Sequence, residues 1–418
     1  MDKNSRGNEL MKNIKNYLLI LIITLAGCEP ATKFDEELPL RELTQAEKQI
    51  VSGTENFSIN IFKKIAQAEP DKNVFISPLS ISMALGMTLN GADGSTYQAM
   101  KNTLFLLGLT QQEINESYQS LIELLTKIDN EVIMQIANSI WYRNSIQVKQ
   151  PFIETNQKYF NAVVNAMNFN DPATVNTINN WVKVSTKGKI EKIVEQINPE
   201  TIMYLINAIY FKGTWKYQFD KSKTKDDAFT KRNGQQVACK MMDQETQFSV
   251  SFNEIFSAID LLYGNGNFSM TILLPDRSKS VQDVLTYLTT ESWNDLLKSF
   301  GKAKKRLMMP RFNLEYKQNL NQVLKDLGMS IAFDPEQADF KKLYDGPFNA
   351  YISNVEHKTF IDVNEEGTEA AAVTSVEIGV TSINDPLFRL DRPFIYLIRE
   401  KNSGSILFIG KMEDPSLK

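Results

Sequence analysis

The sequence predicts an α+β fold, and three observations lead there. Apolar stripes at helical spacing fill the early part of the chain and strand-like runs dominate the late part, the order of a helix-and-sheet domain rather than of alternating βα units. From Leu43 to Lys418 there is neither a separating linker nor an internal repeat, so one domain is expected in a length that would allow two or three. Near the C-terminus, Thr368, Ala370, Ala372, Thr374, Val376 and Ile378 share one parity and are all small or apolar, while Glu369, Ala371, Val373, Ser375, Glu377 and Gly379 share the other. Strand side chains point alternately to two faces, so this proline-free run, entered through Gly367, reads as a strand with one face fit for a core. The polar, turn-rich stretch after it (Thr381, Ser382, Asn384, Asp385, Pro386) reads as exposed loop. The segment is thus loop-like in setting yet able to become a buried strand.

The first element is a targeting segment. Met11 to Lys15 is a basic start, and Tyr17 to Leu25 is nearly all apolar but short for a bilayer span. It ends in Leu25-Ala26-Gly27-Cys28, which resembles a bacterial lipoprotein cleavage box. Residues 1–27 are therefore expected to be a signal peptide, Cys28 a lipidated first mature residue, and 28–44 a polar tether. The protein is expected to be exported and lipid-anchored to the cell envelope, facing the periplasm or the outside.

The domain proper is expected over 45–418. Phe57, Ile61, Phe62 and Ile65 make a helical stripe. Ser77-Pro78 starts a second helix, serine as N-cap and proline at its first position, which continues from Leu79 to Leu89 and ends at Gly91-Ala92-Asp93-Gly94. Strand-like runs are 203–211, Phe268 to Leu274, Tyr351 to Ser353, Phe394 to Ile398 and Ser405 to Ile409; Asn319 to Leu327 reads as a short helix stopped by Gly328. Lys302, Lys304, Lys305 and Arg306 form a basic run, read as a solvated turn or a lysine-protected edge strand in preference to a polyanion site.

Chemistry is sparse. The formal net charge is -4, which argues against nucleic acid as a partner. The two cysteines, Cys28 and Cys239, provide no disulfide framework, and Cys239 reads as a structural thiol. The single histidine, His357, excludes a two-histidine metal motif, so no metal or cofactor is expected. No Gly-x-Ser-x-Gly elbow, phosphate-cradling loop or CxxC pair is present, and a hydrolase triad would have to be built on His357 alone. An enzyme is not expected.

Eight motifs in one order carry a family resemblance. They are the run from Asn73-Val74-Phe75-Ile76-Ser77-Pro78 to Asn90-Gly91-Ala92, Ala137 to Trp141, Ile178 to Val182, Asn207 to Trp215, Leu274-Pro275-Asp276, Met309-Pro310-Arg311-Phe312, Arg392-Pro393-Phe394 and Phe408-Ile409-Gly410-Lys411. Over about residues 45–415 the chain resembles the serpins, protease inhibitors that trap their target by inserting a cleaved loop into a sheet. The resemblance implies helices packed around three β-sheets, with a large central sheet and a reactive loop at about 365–386. It implies a hinge at Glu365, Glu366, Gly367, Thr368, Glu369, Ala370, Ala371 and Ala372. Ser77, Ser80, Asn207 and His357 match the small polar cluster beneath the central sheet, called the shutter. Trp215 stands where the sheet admits the loop, and Arg311 is the basic partner expected for Glu365.

By the family's spacing the scissile bond falls at Thr381-Ser382. The stretch from Gly367 to Pro393 is one residue longer than in common members, so Val380-Thr381 and Ser382-Ile383 stay open. The implied mechanism is attack on the loop, acylation at Thr381, and insertion of the cut strand from Thr368 onward. Val380 and Thr381 suit elastase-like or subtilisin-like serine proteases, with papain-like cysteine proteases next. A monomer is expected. The competing expectation is a serpin-like binding or chaperone lipoprotein that traps nothing.

Overall fold

In the computed structural model, residues 42–368 and 387–417 are described. Leu43–Lys418 forms a compact unit of its own. The helices are α1 (Gln45–Ala68), α2 (Pro78–Leu89), α3 (Gly94–Thr103), α4 (Gln111–Lys127), α5 (Gln150–Phe160), α6 (Ala173–Ser185), α7 (Val281–Tyr287), α8 (Thr290–Ser299) and the single turn α9 (Asn321–Leu324). The strands of the first half are β1 (Val74–Ile76), β2 (Val132–Arg143), β3 (Val163–Met167) and β4 (Met203–Thr214). Next in the chain come β5 (Lys225–Thr230), β6 (Gln236–Phe252), β7 (Phe256–Tyr263), β8 (Phe268–Pro275), β9 (Gly301–Pro310) and β10 (Phe312–Asn319). The last are β11 (Glu356–Val363), β12 (Gly367–Thr368), β13 (Phe388–Arg389), β14 (Phe394–Glu400) and β15 (Ile406–Met412).

Local chemistry sets the helix starts. Thr44 accepts from Glu47 N while the Glu47 carboxylate accepts from Thr44 N, a reciprocal cap on α1. Ser77 caps α2 and Pro78 opens it, as the sequence predicts. Asp93 then immediately begins α3, so the Gly91–Gly94 stretch is a corner rather than a loop.

A six-stranded sheet has the order β10-β11-β12-β4-β2-β3, and a nine-stranded sheet runs β1-β15-β14-β8-β7-β6-β9-β13 with β5 on β6. Hydrogen bonding thus makes two of the three expected layers continuous. The joint is β6, which pairs with β9 along residues 241–250 and with β7 along 249–252. β8, β14 and β15 are buried at every position. In the six-stranded sheet β11 alternates, with His357, Thr359, Ile361 and Val363 turned to the main core. The opposite face near β2 and β4 packs on α6 through Trp141, Ile178, Val182 and Ile206.

Two local expectations are corrected. Tyr351, Ile352 and Ser353 form no strand: Ile352 N donates to Ala332 O, and the Asn321 side chain donates to Ser353 O. Those groups leave no ladder to join. Asn319 belongs to β10, and the helix after it is only Asn321–Leu324, relaxing into a wider turn where Gly328 adopts φ 112°.

Candidate functional site

The hinge starts inside the six-stranded sheet. After β11 the chain turns back over Asn364 to Gly367, with Asn364 N donating to Gly367 O at 3.0 Å. Gly367 and Thr368 then pair with Thr214 and Gly213 of β4 on one side, and Thr368 pairs with Val363 of β11 on the other. A β-carbon on Gly367 would lie 2.1 Å from Gly213 O, so only glycine lets the backbones meet there. The expectation that the strand enters from Thr368 onward after cleavage is corrected: Thr368 is already buried and paired. Among the described residues, β12 is the only strand between β4 and β11, which do not pair directly.

Side chains fasten this turn. The Thr368 hydroxyl lies 2.6 Å from the Tyr263 hydroxyl. The Tyr263 ring stacks on Trp215 at 4.3 Å between centroids. Trp215 Nε1 donates to Asn364 O at 2.9 Å, and its backbone N donates to Glu366 O at 2.8 Å. A side chain on Gly213 would strike the Tyr263 ring, 2.7 Å from a β-carbon placed there. Burial holds the Tyr263 phenol well above its ordinary pKa, so it stays a neutral donor and acceptor.

The two described carboxylates of the expected hinge, Glu365 and Glu366, are held. Glu365 is 4% exposed; its Oε1 accepts from the Thr224 hydroxyl at 2.7 Å, and Oε2 lies 3.5 Å from Arg311 Nε. The expected Arg311 partner is therefore present, but Glu365 is not a solvated charge. Glu366 pairs with Lys221. Lys221, Thr224 and Tyr263 were not legible as site residues. The first two sit in Lys221-Ser222-Lys223-Thr224-Lys225-Asp226, which reads as solvated turn, and Tyr263 ends a strand that looks like plain core.

The residues expected as the shutter come together, Ser77 and Ser80 from the start of α2 and Asn207 and His357 from β4 and β11. His357 Nε2 accepts from Ser77 N at 2.9 Å, which places the ring proton on Nδ1. Burial lowers the His357 pKa to about 3, so the ring is neutral. Ser77 Oγ donates to Leu407 O at 2.7 Å, and Ser80 Oγ donates to Asn207 O at 3.3 Å. The Asn207 amide donates to Asn138 Oδ1 at 2.7 Å, while Asn207 Oδ1 is buried without a partner. Ser80, Asn207 and His357 line a cleft of about 540 Å³ flanked by the lower parts of β4 and β11. The acceptor nitrogen of His357 is thus occupied by a backbone amide and is not free to take a proton from a side chain.

Glu369, Ala370, Ala371, Ala372, Val380, Thr381 and Ser382 lie outside the described residues, as do Cys28 and the targeting segment. Cys239 is buried, and desolvation pushes its thiol up to about 11, the state of a structural thiol. The basic run on β9 is largely matched by acids on β6: Arg306 donates to both Asp243 oxygens, and Lys304 Nζ lies 2.6 Å from Glu245.

The chain is similar to known proteins along most of its length. The family model described as serpin (serine protease inhibitor) matches residues 52–415. Human Serpin B8 is 35% identical over 369 residues, spanning 86% of this chain and 97% of its own. Human leukocyte elastase inhibitor is 32% identical over 381 residues, covering 88% of this chain and 100% of its own. The crystal structure of human thyroxine-binding globulin complexed with its hormone superposes with a TM-score of 0.81 at 29% identity, covering 89% of this chain and 100% of that one. On the family match and these relatives, the chain belongs to the serpin family.

Proposed function

We propose that this serpin is a suicide inhibitor of endopeptidases, lipid-anchored through Cys28 to a bacterial cell envelope. The observation that carries the reading is the hinge itself. Gly367 and Thr368 already lie between β4 and β11, and the next residues inward, Ala370 and Ala372, are small enough to follow. A protease cuts near Thr381-Ser382 and is held as the acyl-enzyme while the strand inserts. About 14 residues at roughly 3.3 Å each carry it roughly 45 Å along the sheet. Each new backbone hydrogen bond contributes about 1 kcal/mol net, so the uncut form is kinetically trapped. Shutter and hinge contacts are the bonds that must be rewired for this passage.

Val380 and Thr381 favour a protease with a small or aliphatic primary pocket, and a relative named for inhibiting leukocyte elastase fits that class. Papain-like cysteine proteases come second. Under this reading the chain acts as a monomer, has no turnover of its own and needs no cofactor. The second reading, a binding protein that traps nothing, is favoured by the hormone complex of thyroxine-binding globulin.

The test mixes the chain beginning at Cys28 with pancreatic elastase, subtilisin, papain and trypsin. Denaturing gels and mass spectrometry of the released peptide are the readouts. A denaturation-stable complex with a peptide starting at Ser382 is expected. Clean cleavage with no complex, together with no gain in melting temperature of the cut chain, refutes insertion and leaves the binding reading.

A further inference from the structure

An apolar projection stands beside the first turns of α1. The loop Leu104-Phe105-Leu106-Leu107-Gly108-Leu109 connects α3 to α4. Leu104, Leu106 and Leu109 point inward and are at most 5% exposed, whereas Phe105 and Leu107 point outward at 41% and 57%. Phe105 holds this geometry at φ 57°, a left-handed conformation that a bulky aromatic rarely adopts. The strain persists because the loop is clamped on the first turns of α1. Gln49 donates to Leu107 O, and a β-carbon on Gly53 would lie 2.7 Å from Phe105 O. Strain that the surroundings over-determine is a reason to ask what the loop does. Two large apolar side chains presented together are thus built in.

The loop lies at the far end from the hinge. β10 begins at Phe312, beside Val363 and the hinge turn, and ends at Asn319, about 25 Å away at ~3.3 Å per residue. The chain then runs on to Leu327, whose carbonyl accepts from the Thr103 hydroxyl at the end of α3. Charge at this end is mixed, with exposed Lys48 and partly exposed Lys101 alongside Glu42, Glu47 and Glu113, so the apolar side chains and not charge mark the surface.

We propose that Phe105 and Leu107 dip into the lipid bilayer and hold this end against the membrane, with the reactive end pointing away. The proposal rests on the reading of Cys28 as the anchor. About 17 residues separate Cys28 from Gln45. With Cys28 lipidated, a chain that short would keep the start of α1 and the loop clamped on it near the bilayer at high effective concentration. Two apolar side chains that would bind a membrane only marginally when free are then enough to set orientation.

The test couples the chain beginning at Cys28, through that cysteine, to a maleimide lipid in vesicles with brominated acyl chains; buried Cys239 does not compete. A Leu107→Trp variant is expected to show emission quenched by the bromines beyond that of the unsubstituted chain. Val184→Trp, at a position 66% exposed on α6, is expected to show none. Vesicle-bound Leu107→Trp with unquenched emission overturns the proposal, as does equal quenching at both positions. A Leu107→Trp chain whose melt shows misfolding is replaced by Phe105→Trp, read in the same way. The anchor reading is tested separately by mass spectrometry of Cys28 in the envelope-derived protein. Absence of lipid there removes the anchor, while quenching at position 107 would still stand for a bilayer-seeking surface.

Discussion

On the proposed trapping mechanism, Thr368→Arg should turn this serpin from an inhibitor into a substrate, and the structure sets the size of the effect. Thr368 is 3% exposed, paired on both sides and within 2.6 Å of the Tyr263 hydroxyl. Replacing it leaves the Tyr263 hydroxyl buried and unpaired, about 1–3 kcal/mol. An arginine held there would be an unpaired buried charge, costing several kcal/mol more. A combined penalty of about 5 kcal/mol shifts the balance between inserted and expelled hinge by roughly 10³–10⁴-fold. The hinge should leave the sheet before any protease arrives, and after cleavage the strand should fail to re-enter. Two assays report on this. Trp215 emission should change in the uncut protein, because its ring stacks on Tyr263 and its Nε1–H bonds Asn364 O. Denaturing gels should show cleaved chain in place of covalent complex. Thr368→Val keeps the shape and loses the hydroxyl, so it should partition between the two outcomes. A stable complex formed by Thr368→Arg at the unsubstituted yield would refute the insertion mechanism outright.

Three further expectations concern the domain core. His357 has a folded pKa near 3 against about 6.5 unfolded, so the unfolded chain takes up the proton first; its contribution is intact above pH 6.5 and erodes as pH falls towards 3. The loss is about 1.4 kcal/mol per pH unit, and denaturant titrations should find that slope reduced in His357→Gln. Glu55 works with the opposite sign: burial raises its pKa to about 7, so its carboxyl costs stability as pH rises from 4.5 through 7. Glu55→Gln should therefore add about 3 kcal/mol at pH 8 and almost nothing at pH 4.5; equal gains at both would show that the group is not desolvated. Cys239 should resist alkylation at pH 8 in the folded protein and react on unfolding, as read by mass spectrometry.

Part of this was legible in the sequence. The hinge could be read because its pattern is local: a glycine opening a proline-free run and a parity of small residues are both visible in a string of letters. Helix starts at Ser77-Pro78 were legible for the same reason. The partners of the hinge were not. Tyr263 arrives from 105 residues away and Thr224 from 141, and neither position carries a local mark of its role. His357, Ser77 and Asn207 were found by resemblance alone, since a histidine accepting from a backbone amide leaves no pattern in the chain. Tyr351 to Ser353 misled because aromatic and β-branched residues suit a strand only where a ladder is free. There the bonds were already made by Ala332 and Asn321.

The two-residue strand β12 has one more consequence, for kinetics. Adding a strand to a sheet is difficult at its first step, when chain entropy is lost before neighbouring bonds repay it. Here the first step is complete in the intact protein. On the proposed mechanism, further insertion would be elongation from a seed, one register position at a time, directed by the turn at Asn364. The rate of loop entry should then depend little on how the loop finds the sheet and strongly on whether each successive residue fits. On that mechanism the same seed should shorten the waiting time of the uncut protein. How long the molecule stays poised should then be governed by the few contacts at Thr368, Glu365 and Glu366 rather than by its overall stability.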